Sequence, residues 1–299
     1  MSRTKWDASD IPNQNGRVIV ITGSSSGIGK EAARVLAGKN ASVIIAVRNV
    51  TKGQSVADAI RNEYTTADVS VRELDLANLE SVKAFAQSII KDYDHLDILI
   101  NNAGIMACPY LKTHDGFEIQ FGTNHLGHYA LTGHLLPLLK KTNESRVVVM
   151  SSLAHKGGNL DFSDLNWDNR KYNTHKAYCD SKLANLYFAY ELARKLEGEG
   201  NNPKITVAHP GWTATELQRY SRIFSFLNKI FAQGVSMGAL PILRAAIDED
   251  ASPGEYFGPG KYFEMRGHPV RVDSNARSYD MNAAHQLWKQ SEEMTGVKY

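Results

Sequence analysis

The sequence predicts an α/β fold: one doubly wound parallel sheet of about seven strands with helices on both faces. Three observations predict it. Short apolar runs alternate with longer amphipathic ones along most of the chain. The first apolar run leads straight into a glycine-rich turn. Each stretch able to carry chemistry follows an apolar run or lies on an adjoining helix, the edge where doubly wound sheets bind ligands.

In order, the strand-like runs are 17–22 (RVIVIT), 42–47 (SVIIAV), 69–74, 96–100 (LDILI), 146–150 (RVVVM) and 204–208 (KITVA). Unbroken apolar runs of this length suit strands buried on both faces. Helical spacing fills 28–38, 51–63, 78–92, 117–140 and 177–197 between them. Residues 236–248 are again helical in pattern, with Pro241 leaving the start of that helix open. A seventh short strand is expected near 261–263. No repeat, low-complexity tract or linker interrupts the alternation, so residues 1–299 are expected to form one domain.

Two stretches stand apart. Residues 153–176 are polar and turn-rich, and are expected to form a surface flap near the site. Residues 217–234 (LQRYSRIFSFLNKIFAQG) carry an apolar stripe at Ile223, Phe224, Phe226, Leu227, Ile230 and Phe231. It is expected to act as a lid favouring an apolar substrate. The alternatives are a helix packed on the core and an interfacial helix whose Arg219, Arg222 and Lys229 meet lipid headgroups.

Composition narrows the function classes. Lys plus Arg number 34 against 32 Asp plus Glu, a net charge of +2, with 42% apolar and 9% aromatic residues. That excludes a disordered chain and argues against a nucleic-acid binder. No stretch approaches the roughly 18 apolar residues of a transmembrane helix. The opening residues, MSRTKWDASDIPNQNGR, lack the apolar core of a secretory signal. Cys108 and Cys179 form no pairing motif, which points to a reducing, cytoplasmic setting. His125 and His128 could share a helix face, but no third ligand follows at metal spacing, so no metal is expected.

The turn at 22–29 (TGSSSGIG) follows the first strand and opens the first helix. Gly23, Gly27 and Gly29 let the backbone turn tightly, so that with Ser25, Ser26 and Ile28 it can approach a pyrophosphate at the helix N-terminus. The second strand ends in Ala46, Val47, Arg48 and Asn49, with Lys52 after them and no acid from 42 to 52. A carboxylate there would hold a ribose 2′-hydroxyl, whereas a guanidinium pairs with a 2′-phosphate. NADP(H) is therefore expected over NAD(H).

Tyr178 and Lys182 are four residues apart on a helical pattern and share a face. A phenol, with a pKa near 10, is a poor base at neutral pH. A nearby ammonium is expected to lower that pKa and make the group useful in proton transfer. Ser151 and Ser152 follow the fifth strand, and either hydroxyl could bond a substrate oxygen. Asn101, Asn102, Ala103 and Gly104 follow the fourth strand. Asn124, a poor helix former, sits inside a helical pattern, where its amide could bind backbone or water. Pro210, Gly211, Trp212, Thr213, Ala214 and Thr215 follow the sixth strand on the same edge.

Together these pieces resemble the short-chain dehydrogenase/reductase family over 17 to about 263. The resemblance rests on TGSSSGIG, Asp75 and Leu76, NNAG at 101–104, Asn124, Ser152, YCDSK at 178–182 and HPGWTAT at 209–215. It implies a Rossmann fold with Asn124, Ser152, Tyr178 and Lys182 as a catalytic tetrad. In that pattern Tyr is the acid/base and Lys lowers its pKa and binds the nicotinamide ribose. Ser polarises the carbonyl, and Asn holds a relay water. It places Asp75 at the adenine, Asn102 or Asn101 at a ribose, and Thr213 or Thr215 at the nicotinamide. It also favours Ser152 over Ser151. The phrases VVVMSSLAHKGG and AYCDSKLANLYFAYEL look like the retinol dehydrogenase branch, which shares a long gap between Ser152 and Tyr178. That branch usually carries Arg at the position of Arg48 and prefers NADP(H).

The expected function is reversible hydride transfer between NADP(H) and an apolar carbonyl/alcohol substrate, retinal-like or another lipophilic aldehyde or ketone. A catalytically silent NADP(H)-sensing regulator is the alternative, as is an enzyme resembling protochlorophyllide reductase. The expected partner is a small molecule, not nucleic acid. No transmembrane segment is expected, although peripheral membrane contact remains open. The resemblance implies a homodimer or homotetramer through the helices carrying Asn124 and Tyr178.

Overall fold

The computed structural model describes residues 5–198, 200–213 and 232–299. Eight strands form one sheet in the order β3-β2-β1-β4-β5-β6-β7-β8. They are β1 (Val18–Thr22), β2 (Ser42–Val47), β3 (Val69–Glu73), β4 (Ile98–Asn101), β5 (Arg146–Met150), β6 (Lys204–Ala208), β7 (Tyr256–Lys261) and β8 (Arg266–Val272). All neighbouring pairs are parallel except β7 with β8. The order reverses between β2-β1 and β4, which opens a crevice at the carboxyl ends of those strands. β1, β4 and β5 are buried along their whole length, which explains their apolar runs.

The helices are α1 (Gly27–Ala37), α2 (Val50–Glu63), α3 (Leu79–Asp92), α4 (Gly127–Lys141), α5 (Thr174–Lys195), α6 (Val235–Ile247) and α7 (Met281–Thr295). One apolar layer packs α3, α4 and α5 on the sheet, and the other packs α1, α2 and α6 on the opposite face. Asn49, Asn78, Asn173 and Asp280 cap α2, α3, α5 and α7 with their side chains. The cap at Asn173 starts α5 a turn earlier than the apolar pattern indicates.

The carboxyl third differs from expectation. The seventh strand is Tyr256–Lys261, ahead of 261–263, and an eighth strand follows it. Tyr262, Phe263 and Glu264 take positive φ of 53°, 55° and 64°, so they reverse the chain and do not extend it. Gly258, Pro259, Gly260 and Pro269 hide both strands, because such residues are scarce in strand interiors and tolerated near a sheet edge. Helix α7 also went unread. It lies on α4 and α5, where Trp288 meets Tyr129 with ring centroids 5.2 Å apart. The Tyr299 hydroxyl donates to the Tyr129 carbonyl at 2.7 Å.

Of the stretch 217–234, residues 217–231 lie outside the described residues, as does Thr215. The insertion begins with a 3₁₀ turn, Leu153–Gly157. Its acids are engaged in local structure. Asp164 accepts the Asp168 and Asn169 amides at 2.7 and 3.2 Å, and Asp168 pairs with Lys112 at 2.7 Å.

Candidate active site

The glycine turn is shaped by contacts that exclude side chains. Gly23 and Gly27 have φ of +66° and +55°, in the left-handed region that favours glycine. A Cβ on Gly23 would lie 2.8 Å from Ala103, and one on Gly29 would lie 2.5 Å from the Asn102 amide nitrogen. The loop after β4 is stitched to this turn. The Thr22 hydroxyl accepts the Asn102 and Ala103 amides at 3.0 and 2.9 Å, and the Asn102 side chain donates to the Thr22 carbonyl at 2.8 Å. Ser26, at the N-cap of α1, makes no side-chain cap. The helix therefore starts with its backbone amides turned toward the cleft and no side chain satisfying them, a setting suited to an anion.

A cleft of about 550 Å³ runs across this edge of the sheet. Its wall includes Gly23, Ser25, Ser26, Gly27, Ile28 and Gly29, then Arg48, Asp75, Leu76, Asn102, Ala103 and Gly104. Ser152, Tyr178, Lys182, Pro210, Gly211 and Thr213 also line it, whereas Asn124 does not. Asn101 is buried elsewhere, donating to the Thr132 hydroxyl at 2.8 Å, so Asn102 is the residue at the cleft. Sequence reasoning missed Ile105, Met106, Thr123 and Met150 on the same wall. Met150 ends a strand whose neighbouring Ser152 drew attention, and Thr123 precedes Asn124; adjacency was the available signal. A larger open depression, about 1270 Å³, lies between the end of α5 and the β7–β8 hairpin. Its wall mixes Arg194 and Arg271 with Glu197 and Glu255, and none of the candidate catalytic residues line it.

The two serines after β5 separate cleanly. The Ser151 hydroxyl donates to the Lys182 carbonyl at 2.9 Å and is spent on α5. Ser152 caps the following 3₁₀ turn, accepting from the Ala154 amide at 3.2 Å, and its hydroxyl lies near the Tyr178 phenol. Lys182 reaches back across the cleft floor, its Nζ 3.3 Å from the Met150 carbonyl and 5.8 Å from the Tyr178 ring centroid.

Electrostatics here depart from expectation. Burial pushes the Tyr178 phenol up to about 12, with the nearby Ser152 hydroxyl pulling the other way. Burial also pushes the Lys182 ammonium down to about 8. In this cleft desolvation outweighs the attraction anticipated between the pair, and each group is driven toward its neutral form. Tyr178 therefore holds its proton throughout the neutral range.

Asn124 does not line the cleft but lies directly behind it. It belongs to a π-helical turn, Gly122–Leu126, which splits the expected 117–140 helix into a short turn, Ile119–Phe121, and α4. Its side chain pairs with both backbone groups of Ile105, accepting from N at 2.8 Å and donating to O at 3.0 Å, and donates to Ser181 Oγ at 2.9 Å. π-turns are often found at functional sites.

On the far side, the Gly211 amide donates to His209 Nδ1 at 3.2 Å, and His209 Nε2 meets Glu264 at 3.0 Å. This buried imidazole anchors the Pro210–Gly211 turn to the β7–β8 hairpin. Among the described residues no group of three or more His, Cys, Asp or Glu side chains is arranged to hold a metal.

A family model of short chain dehydrogenases matches residues 17–224. The chain belongs to the short-chain dehydrogenase family. Within it the chain is retinol-dehydrogenase-like. It is 41% identical to human retinol dehydrogenase 13 over 292 residues, spanning 95% of this chain and 86% of that one. It is 43% identical to mouse retinol dehydrogenase 12 over 289 residues, spanning 95% and 88%. A crystal structure of an uncharacterised protein from Mycobacterium paratuberculosis superposes with a TM-score of 0.84 at 42% identity, covering 99% of each chain. A short chain dehydrogenase from Shigella flexneri, complexed with NADP, superposes with a TM-score of 0.67 at 26% identity, covering 83% of this chain and 98% of that one. As a member of this family the protein is an oxidoreductase acting at CH–OH/C=O groups. No helix among the described residues is long and apolar enough to cross a membrane.

Proposed function

We propose that the protein is an NADP(H)-dependent reductase of lipophilic aldehydes or ketones, with Tyr178 as proton donor. One observation carries this reading. A single cleft joins the glycine turn and Arg48 at one end to Ser152, Tyr178 and Lys182 at the other. The glycine cradle and the uncapped α1 start fit a dinucleotide pyrophosphate, and Arg48, Asn49 and Lys52 line the cleft beside β2. Asp75 and Leu76 would flank the adenine, and Asn102, Tyr178 and Lys182 the nicotinamide ribose.

The bound nicotinamide supplies the hydride; the chain supplies orientation and the proton. Ser152 would donate to the substrate carbonyl oxygen as charge builds there, and the Tyr178 hydroxyl would deliver the proton to that oxygen. A phenol held protonated suits reduction. Ile105, Met106 and Met150 line the cleft and favour an apolar substrate, in keeping with the retinol dehydrogenase relatives.

Two results follow from the cofactor end. Arg48→Asp replaces a phosphate partner with a carboxylate, so the ratio of kcat/KM for NADPH over NADH should fall at least about tenfold. An unchanged ratio would remove Arg48 from the site. With NADPH varied, kcat/KM reports ionisations of the unliganded chain, and it should decline above about pH 8 as Lys182 loses its proton. A value unchanged to about pH 10 would contradict that assignment.

The face of α4 and α5 implied for self-association is already packed by α7 and Tyr299. Any homo-oligomer is therefore expected to use another surface. Cross-links joining α4 of one copy to α4 of another would contradict this.

A further inference from the structure

The buried histidine of α4 that serves neither a metal nor the proton step has a place in the hydrogen-bond network. His128 is 2% exposed. Its Nε2 lies 2.9 Å from Thr22 Oγ1, and its Nδ1 lies 3.0 Å from the Asn124 carbonyl. The bonding capacity of Thr22 fixes the proton positions. Its oxygen already accepts two N–H groups, from Asn102 and Ala103, which fill both lone pairs. The hydroxyl hydrogen is left to donate, and His128 Nε2 at 2.9 Å is a far better acceptor than the Ile100 carbonyl at 3.4 Å. With Nε2 accepting, Nδ1 carries the ring proton and donates to Asn124. The imidazole is neutral, as its burial and the nearby Lys182 charge also require.

These bonds close a ring. Thr22 holds the amides of Asn102 and Ala103, Asn124 holds both backbone groups of Ile105, and His128 joins Thr22 to Asn124. The loop inside the ring is narrow. A Cβ on Gly104 would lie 3.3 Å from Asn124 Oδ1 and 3.4 Å from Lys182 Nζ. Asn124 in turn donates to Ser181, whose hydroxyl donates to the Tyr178 carbonyl at 2.8 Å. The ring therefore runs from the glycine turn to the helix that carries Tyr178 and Lys182.

We propose that His128 is a positioning residue that clamps the 102–105 loop between the dinucleotide turn and the π-turn of Asn124, setting the spacing between the cofactor cradle and the proton-transfer pair. What the loop holds rests on the functional reading above; the clamp itself does not. His128 touches neither substrate nor cofactor in this arrangement and acts through Thr22 and Asn124.

Hydrogen–deuterium exchange on the cofactor-free chain tests the clamp directly. In His128→Phe, which keeps a flat, somewhat larger ring and removes both bonds, the amides of residues 102–105 should exchange at least about tenfold faster, while β1 and β5 stay protected. His128→Gln, whose amide keeps an acceptor for Thr22, should fall between that variant and the wild type. Wild-type exchange at 102–105 in both variants would overturn the proposal. Should His128→Phe lose protection throughout the sheet, the glutamine variant alone decides. A local rise at 102–105 then supports the clamp, and none refutes it. NADPH titration of the same proteins separates the two readings. Affinity should weaken in the same order, whereas a wild type that binds no NADPH would defeat the functional proposal and leave the exchange result standing.

Discussion

Tyr178→Phe should lower turnover with any carbonyl substrate by roughly 10²–10⁴-fold while leaving the dissociation constant for NADPH within about threefold. The substitution removes one hydroxyl and keeps the ring that packs in the cleft wall. The lost atom is the proposed proton donor, which lies near Ser152 and is kept protonated at neutral pH by burial. The substrate oxygen would then have to take its proton from water, in a cleft where Tyr178 and Lys182 are both buried. Ser152→Ala is expected to act at the same step with a smaller loss, because the phenol remains. A Tyr178→Phe protein with wild-type turnover would move the proton step elsewhere. One that no longer bound NADPH would show Tyr178 to be primarily a cofactor residue.

Acid should destabilise the fold well above the carboxylate range. His125, His128 and His155 are buried, and desolvation pushes them down to about 3, 4 and 4. In the unfolded chain each returns to about 6.5. The sign follows directly. Below about pH 6.5 the unfolded chain binds protons that the native one refuses, so stability is full above that pH and falls as the pH drops toward 4. Each such proton costs about 1.4 kcal/mol per pH unit once the unfolded group is fully protonated. His209, also lowered by burial, adds in the same direction. Glu118 and Asp180, raised by burial, oppose it. The urea midpoint should therefore fall continuously from about pH 7 to about pH 5, by an amount equivalent to several kcal/mol. A midpoint that stayed level over that interval would mean these imidazoles are protonated in the native state.

Much of this architecture was legible in the residues because the parallel strands are continuous apolar runs and the turns between them carry their own chemistry. The glycine turn, the Arg48 end of β2 and the Tyr178–Lys182 spacing each announce a local geometry, and all three line one cleft. Side-chain periodicity did not mark the elements after residue 250. β7 and β8 contain Gly258, Pro259, Gly260 and Pro269, so their strand character comes from pairing with each other across the sheet edge and not from local preference. The π-turn at Asn124 was equally hidden, since no residue type in Gly122–Leu126 marks a widened turn. The Tyr178 phenol departs from the expected direction for a different reason. Spacing shows that two side chains share a face; it does not show that both are buried, and burial decides the result here. The roles of Thr22, His128 and His209 depend on contacts between distant segments, for which a single sequence carries no signal.

One measurement tests the proposed activity most directly: the loss of absorbance of reduced nicotinamide when the purified chain and NADPH meet a panel of lipophilic aldehydes and ketones. Aldehyde-dependent oxidation of NADPH, faster than with NADH and abolished in Tyr178→Phe, is the result predicted. Tight NADPH binding with no oxidation for any carbonyl would contradict it, and would make the cleft a nucleotide sensor.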